Sequence, residues 1–272
     1  MSLHILPEME QRSPEWYEHR RGIVTASAVG GLIAIRKPSA IDHDCPNCGA
    51  AAQNPCVSKR TPEPIKTLHT ERAAAAKSAS SPTVIEPARN ETSRSITDRL
   101  VAERITGWCE EGFLTDAMWR GINDEPLARA VYAEHYHPVK EVGFMVRDDW
   151  GFKIGYSPDG LVGDHGLIEI KSRAPKNQLA TVLSGHPPIE NMAQLQCGLL
   201  VSGRRWIDYI SYAGGMHMWR KRIWPDERWF DAIVSAVRNF EAAAAEMQRL
   251  YAESVEGLPM TERTIIEQEI SI

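Results

Sequence analysis

The stretch that most restricts the fold is residues 152–173, FKIGYSPDGLVGDHGLIEIKSR, which reads as strand, turn and strand with charge on the returning strand. Residues i and i+2 of a strand share a face. Glu169 and Lys171 therefore project together, while Ile168 and Ile170 face the other way, toward a core. Asp159 closes the preceding strand, after Ser157-Pro158 and before Gly160. A short turn through Gly163-Asp164-His165-Gly166 brings the chain back, so Asp159 and Glu169 meet as cross-strand neighbours. Two partly buried carboxylates this close repel, and they take up protons unless positive charge sits between them. A divalent cation is the economical solution, and oxygen ligands favour Mg2+ or Mn2+. Lys171 alongside is placed to steady a nucleophilic water or to neutralise charge developing on a phosphate. A surface hairpin with ordinary polar residues is the alternative, and the apolar flanks of LIEIK weigh against it.

Around this hairpin the patterning alternates between helix and strand. SPEWYEHRRG and TASAVGGLIA read as two short helices, with Ser13 and Thr25 as N-caps and Pro14 at the first helical position. A helix is expected over 93–106, with Ile96, Leu100, Val101 and Ile105 on one face. Another spans 116–136, with a kink or restart near Asp124-Glu125, because Pro126 removes a donor and disfavours helix before it. Strands at 140–147, 152–156 and 167–172, a helix at 188–202, strands at 206–213 and 216–223 and a helix at 226–254 follow. The last helix carries Phe230, Ile233, Val237, Phe240, Ala244, Met247 and Tyr251 on one stripe. The pattern predicts an α/β (α+β) fold, a central mixed β-sheet flanked by helices. Residues 36–91 differ: Pro, Ala and Ser abound and no amphipathic period is sustained. We read 1–35 and 92–255 as one domain, 36–91 as an insertion ending in a flexible link through SASSPTVIEPARN, and 256–272 as a C-terminal tail.

The insertion holds the sequence's other chemical signal. Of five cysteines, three cluster as Cys45-x2-Cys48-x7-Cys56, followed after twelve residues by His69. CPNCG is a tight knuckle, and structural zinc needs two such ligands plus two more to close a tetrahedron. So small a polar segment has too little core to fold unaided, so a metal supplies the ordering energy. A metal-free relic or an iron–sulfur cluster is the alternative; Cys109 and Cys197 read as small buried side chains. The net charge is −5, which taken alone argues against a nucleic-acid binder. Yet residues 225–272 carry ten acids and four bases, leaving the rest of the chain at +1. Basic clusters recur there at Arg20-Arg21, Lys59-Arg60, Arg204-Arg205 and Arg220-Lys221-Arg222, so a locally positive groove is compatible with an acidic total, as is scattered solvated charge. No signal-like N-terminus and no run of ~20 apolar residues is present, so the expectation is a cytoplasmic protein, in the host cytoplasm if phage-encoded, with no membrane partner.

SPDGLV…IEIK resembles the PD-(D/E)xK nuclease core, in the version found in lambda-exonuclease or YqaJ-type viral recombinase nucleases. WYEHRRGIVTASAVGGLIA at 16–34 is similar to that family's opening W-x3-R-x-G-x-x-TAS segment. RGINDEPLARAVYAEHY at 120–136 is similar to its glutamate-bearing helix, and NMAQLQCGLLVSG at 191–203 to its M-A-Q-x-Q helix. The cysteine segment is similar to short zinc-binding modules of phage and actinobacterial proteins that end in HxxR, here HTER. The lambda-type pattern itself has no such module.

By resemblance, Asp159 bridges metal sites, Glu169 is a second ligand, the backbone carbonyl of Ile170 a third, and Glu125 joins from its helix. Lys171 orients or activates the attacking water. Arg20, with Thr25, Ser27, Ser157 and Gln194, forms a pocket for the terminal 5′ phosphate; an Arg fork and hydroxyl donors suit that dianion. Two Mg2+ or Mn2+ ions about 3.5–4 Å apart stabilise the attacking and leaving oxygens of an in-line cleavage. The implied activity is a Mg2+-dependent 5′-to-3′ exonuclease on double-stranded DNA ends, leaving 3′ single-stranded tails for phage-type homologous recombination. The implied partners are a single-strand-annealing protein and further copies of the chain, in a ring of, for example, three. An endonuclease or single-strand nuclease of the same fold is one rival, and a non-catalytic DNA-binding protein using the zinc module (Cys45, Cys48, Cys56, His69) is another.

Overall fold

The charged hairpin forms the edge of a four-stranded mixed sheet in the computed structural model, which describes residues 2–6, 9–58, 60–79, 83–109 and 114–263. Strand β8 (Gly166–Ser172) pairs antiparallel with β7 (Gly160–Val162) and parallel with β9 (Trp206–Tyr212). Strand β10 (Trp219–Ile223) completes the order β10-β9-β8-β7. A parallel pair needs a long crossover, supplied here by α6 (Pro175–Ser184) and α7 (Ile189–Ser202). Both faces of β8 are covered. Leu167 joins the main core with Leu195 and Leu199 of α7, whereas Ile168 and Ile170 pack on Ala128 and Tyr132 of α5 (Asp116–His135). Each fully buried side chain of this kind contributes about 1.5–3 kcal/mol.

A second mixed sheet runs β1-β5-β6-β2, from β1 (Leu3–Leu6), β5 (Phe144–Arg147), β6 (Ile154–Tyr156) and β2 (Val24–Thr25). The single central sheet expected from the sequence is thus two sheets. The interruption falls at Ser157-Pro158, where proline has no N–H to continue a ladder. Strand β2 lies parallel to β6 with Thr25 opposite Gly155, which brings the TAS segment beside Ser157.

Helix α1 (Pro14–Arg20) starts where expected, with the Ser13 hydroxyl accepting from the Trp16 N–H. The second helix is shorter than expected. Helix α2 (Ala26–Val29) gives way to a 3-10 turn at Gly30–Leu32 and strand β3 (Ile33–Arg36), because Gly30-Gly31 make helix costly and Ile33 and Ile35 favour strand. Strand β3 pairs with β4 (Val84–Pro87), so the segment expected as a flexible link contains an ordered strand, while residues 80–82 of it lie outside the described residues. The chain thus departs after Arg36 and returns at Val84 through a paired ribbon. Arg36 ties its base, bonding Glu86 at 2.8 Å and Asp42 at 2.6 Å. Within the insertion is α3 (Thr70–Ser78), which the sequence reading did not separate; β1, β7 and α6 were missed as well.

Helix α4 (Glu91–Thr106) is capped by Asn90. Helix α5 runs through Pro126 with no restart; the buried Ala128 and Tyr132 hold it on the sheet at the expense of one backbone bond. Helix α8 (Glu227–Ser254) buries Ile233, Val237, Phe240 and Ala244, but Tyr251 at the end of the expected stripe is exposed. Cys197 is buried as expected, whereas Cys109 is only half-buried. Residues 264–272 of the tail lie outside the described residues.

Candidate active site

The β7–β8 register pairs Gly160 with Ile168, which sets Asp159 opposite Glu169. The Asp159 carboxylate accepts from the Ile170 N–H at 2.6 Å, so a backbone donor of one strand fixes the acid of the other. Glu169 is 1 % exposed. Its Oε1 accepts from Lys171 Nζ at 2.7 Å and from the Gln194 amide at 2.5 Å, and the Tyr156 hydroxyl donates to its Oε2 at 3.4 Å. Gly198, one turn along α7 from Gln194, lets this helix press on the Tyr156 ring; a Cβ there would lie 2.8 Å from Cζ. Glu125 reaches in from α5, held by Arg129 at 2.5 Å, and Arg129 also donates to the Asp159 carbonyl at 2.9 Å and pairs with Glu141. Glu125, Asp159, Glu169, Ile170 and Lys171 line one cavity of about 350 Å3.

Burial, then repulsion from Glu169 and Glu125, pushes the Asp159 carboxyl well above the usual carboxylate range, against the pull of Lys171 and the Ile170 N–H. Burial likewise raises Glu125, opposed by Arg129 and Arg12. Burial alone would lower the Lys171 ammonium, but Glu169 and Asp159 outweigh it and hold the group above its ordinary value. Three acids thus converge on one side of a small cavity whose lining also includes Lys171, Arg12 and Arg20. That donor set fits a hard divalent cation.

Across the same cavity stands Arg20, the last residue of α1. The turn after it needs Gly22, whose φ is +66° and whose Cβ would lie 2.4 Å from Arg104 Cγ. Its N–H donates to Glu103 at 2.9 Å and its carbonyl accepts from Arg104 at 2.6 Å; Arg104 in turn forks onto Glu241 of α8. So anchored, Arg20 donates to Ser157 (3.3 Å), Thr25 (3.4 Å) and Ser27 (3.1 Å) and lies 3.9 Å over the Trp16 ring. Trp16 Nε1 donates to Ser157 as well. Burial draws the Arg20 guanidinium down to about 10, which leaves it cationic at neutral pH. Its partners among the described residues are hydroxyls, with no carboxylate, an arrangement suited to receiving an anion. Gln194 lines the cavity but bonds Lys171 (2.9 Å) and Glu169 instead of the Arg20 group.

In the insertion, the ligand atoms of Cys45, Cys48, Cys56 and His69 all lie within 4.8 Å of one another. Ligands about 2.3 Å from a tetrahedral zinc stand at most ~4 Å apart, so the four fit that ion with slight contraction. The His69 N–H points at Cys56 Sγ (3.4 Å), and the Val57 and Ala50 N–H groups help draw the Cys48 thiol down to about 6. Arg72, the arginine of HTER, is fully buried. It donates to the carbonyls of His43, Asn54, Ala51 and Ile41 and approaches Cys56 Sγ at 3.5 Å. One cation thus ties segments 41–43 and 51–54 together beside the cysteines.

Sequence reasoning missed Arg129, four residues after Glu125 and hence its helical neighbour, and Trp16, which lies in the opening motif. Of the basic clusters, Arg20 lines the site and several other members have intramolecular partners. Arg204 serves the carbonyls of Gly163 and Gly166, and Arg220 and Arg222 both neutralise Asp208; Lys59 lies outside the described residues. No described helix is long and apolar enough to cross a membrane.

Comparison with known proteins bears directly on this geometry. The chain is similar to a crystal structure of an alkaline exonuclease, LHK-Exo, from Laribacter hongkongensis, with 27% identity and a TM-score of 0.62 over 90% of this chain and 99% of that one. The same figures hold for LHK-Exo in complex with dAMP. No curated protein matches. A phage zinc finger domain matches residues 11–89, which include all four clustered ligands. The fold is of the PD-(D/E)xK type, with mixed sheets flanked by helices. The YqaJ-like viral recombinase domain matches residues 69–205, just over half of the chain, and the protein belongs to that family of nucleases.

Proposed function

We propose that the protein is a Mg2+-dependent deoxyribonuclease that degrades one strand of duplex DNA from a 5′-phosphorylated end, leaving 3′ tails for phage-type recombination. The observation that carries this reading is that the acids and the Arg20–hydroxyl group line one cavity. A strand end held by Arg20 then presents its first linkage toward Asp159 and Glu169. Asp159, Glu169, Glu125 and the Ile170 carbonyl are the groups to hold one or two Mg2+ or Mn2+ ions. When bound, such ions supply positive charge to the phosphate and acidify water. Arg20, Thr25, Ser27 and Ser157 bind the terminal phosphate. Lys171, fixed by Glu169 and Gln194, holds the attacking water in line, so Gln194 acts by positioning Lys171 and Glu169.

The Cys3His cluster holds a structural zinc, and the module around it is a DNA- or partner-binding accessory, in keeping with the zinc finger domain matched there. Leu179, Val182 and Leu183 of α6, with Ile189, remain exposed and offer an apolar face for a subunit contact in a ring; a single-strand-annealing protein is the expected second partner. The test is cleavage, with Mg2+, of linear duplexes ending in 5′ phosphate or 5′ hydroxyl and of circular duplex. We expect the phosphorylated end to be cut fastest and the circle to resist. Equal attack on circles rejects end recognition and favours an endonuclease of the same fold.

A further inference from the structure

Arg12 belongs to none of the motifs above and has no role in the reading so far. Its backbone lies at φ +71°, in the left-handed region that a bulky side chain adopts only when its surroundings impose it. Those surroundings are plain. The Gln11 amide donates to the Pro158 carbonyl at 3.3 Å, the Ser13 N–H bonds the Glu10 carbonyl at 3.2 Å, and Ser13 caps α1. The strained residue is therefore clamped between the turn that carries Asp159 and the helix that carries Arg20.

Arg12 lines the acid cavity together with Glu125 and Asp159, and also the neighbouring cavity that Arg20 and Thr25 share. Nearby guanidiniums are engaged, Arg20 by three hydroxyls and Arg129 by Glu125 and Glu141. Arg12, by contrast, is exposed and makes no hydrogen bond or ion pair with any described residue. Its charge is still felt at Glu125, where it favours the carboxylate. A cation held in a costly conformation, between an anion pocket and an acid cluster, is poised for an anion that the protein itself does not supply.

Resting on the nuclease reading, we propose that Arg12 is a substrate clamp that grips a backbone phosphate of the DNA strand at the junction between the Arg20 pocket and the acids. Each phosphate neutralised by a protein cation adds about 0.9 to the slope of log affinity against log salt on B-DNA. The test measures binding of a 5′-phosphorylated duplex by fluorescence anisotropy over a salt series, in the Asp159→Asn background. Arg12→Gly should bind about tenfold more weakly, with a slope shallower by about 0.9. Arg12→Lys should keep the slope. Arg12→Gly should melt no lower than its parent, since glycine takes this φ without strain. Arg249→Ala, which removes a charge on α8 engaged with Glu246 and Glu253, should match the parent in slope. Parental slope and affinity in Arg12→Gly overturn the clamp. Cleavage of the linear duplex by the unsubstituted protein, run in parallel, decides the nuclease reading separately: cutting with no change of slope in Arg12→Gly condemns the clamp alone.

Discussion

Asp159 stands where burial and two neighbouring acids oppose its ionisation. Its folded carboxyl titrates above its unfolded value, so it stabilises the metal-free protein in acid and that contribution is lost as pH rises through the folded value. Asparagine keeps the acceptor for the Ile170 N–H and removes the repulsion from Glu169 and Glu125. Asp159→Asn should therefore melt no lower than the unsubstituted protein without metal at neutral pH, while cleavage of linear duplex falls by at least ~10³-fold. Thermal melts and a gel assay read the two halves. Lys171→Met should lower kcat with little change in DNA affinity, as single-turnover kinetics and anisotropy would show. At this scale the sequence was informative where spacing fixes geometry: a strand period of two and a short turn bring Asp159, Glu169 and Lys171 together. Gln194 was placed by motif alone, and its actual partners depend on how α7 packs over β8, which no local pattern encodes.

At the scale of elements, α5 and the sheet are joined by a buried network. Asp208 of β9 is inaccessible and accepts from Tyr132 of α5 at 2.7 Å and from Arg220 and Arg222 of β10 at 2.8 Å. Burial alone would raise its carboxyl, but Arg222, Tyr132 and Arg220 more than reverse this and hold it below the usual range. A depressed carboxyl stabilises above its unfolded value and loses that contribution as pH falls through the folded one. Urea titrations should thus show stability falling below about pH 4, and Asp208→Asn should weaken that dependence and cost about 3 kcal/mol at neutral pH, since both guanidiniums lose their partner but keep some water. Helix α1, through its Ser13 cap, and helices α4 and α8, through their apolar faces, were legible from sequence. Strand β4 and the short α2 were not, because a ribbon between residues fifty apart and a Gly-Gly stop are decided by tertiary contacts.

For the whole molecule, the insertion and the nuclease body are joined at the β3–β4 ribbon, with Arg36 bridging Asp42 and Glu86. Cys48→Ser should lower bound zinc below one per chain by plasma mass spectrometry and open the insertion to protease, while the sheets carrying Asp159 and Glu169 stay folded by circular dichroism. Retention of full zinc would exclude Cys48 as a ligand. The cysteine spacing announced this cluster plainly, but Arg72 could not be weighed from sequence, since its four carbonyl partners come from segments up to thirty-one residues away. The division of one expected sheet into two followed from Pro158, visible in the sequence yet read there only as part of a motif.

Everything proposed for the cavity depends on three neighbouring carboxyls having an inorganic ion in common. Crystals soaked in Mn2+ at neutral pH and measured at the manganese absorption edge should give an anomalous peak enclosed by Asp159, Glu169 and Glu125, lost in Asp159→Asn. A soak that leaves this cavity without a peak, in crystals that take up manganese elsewhere, would contradict it.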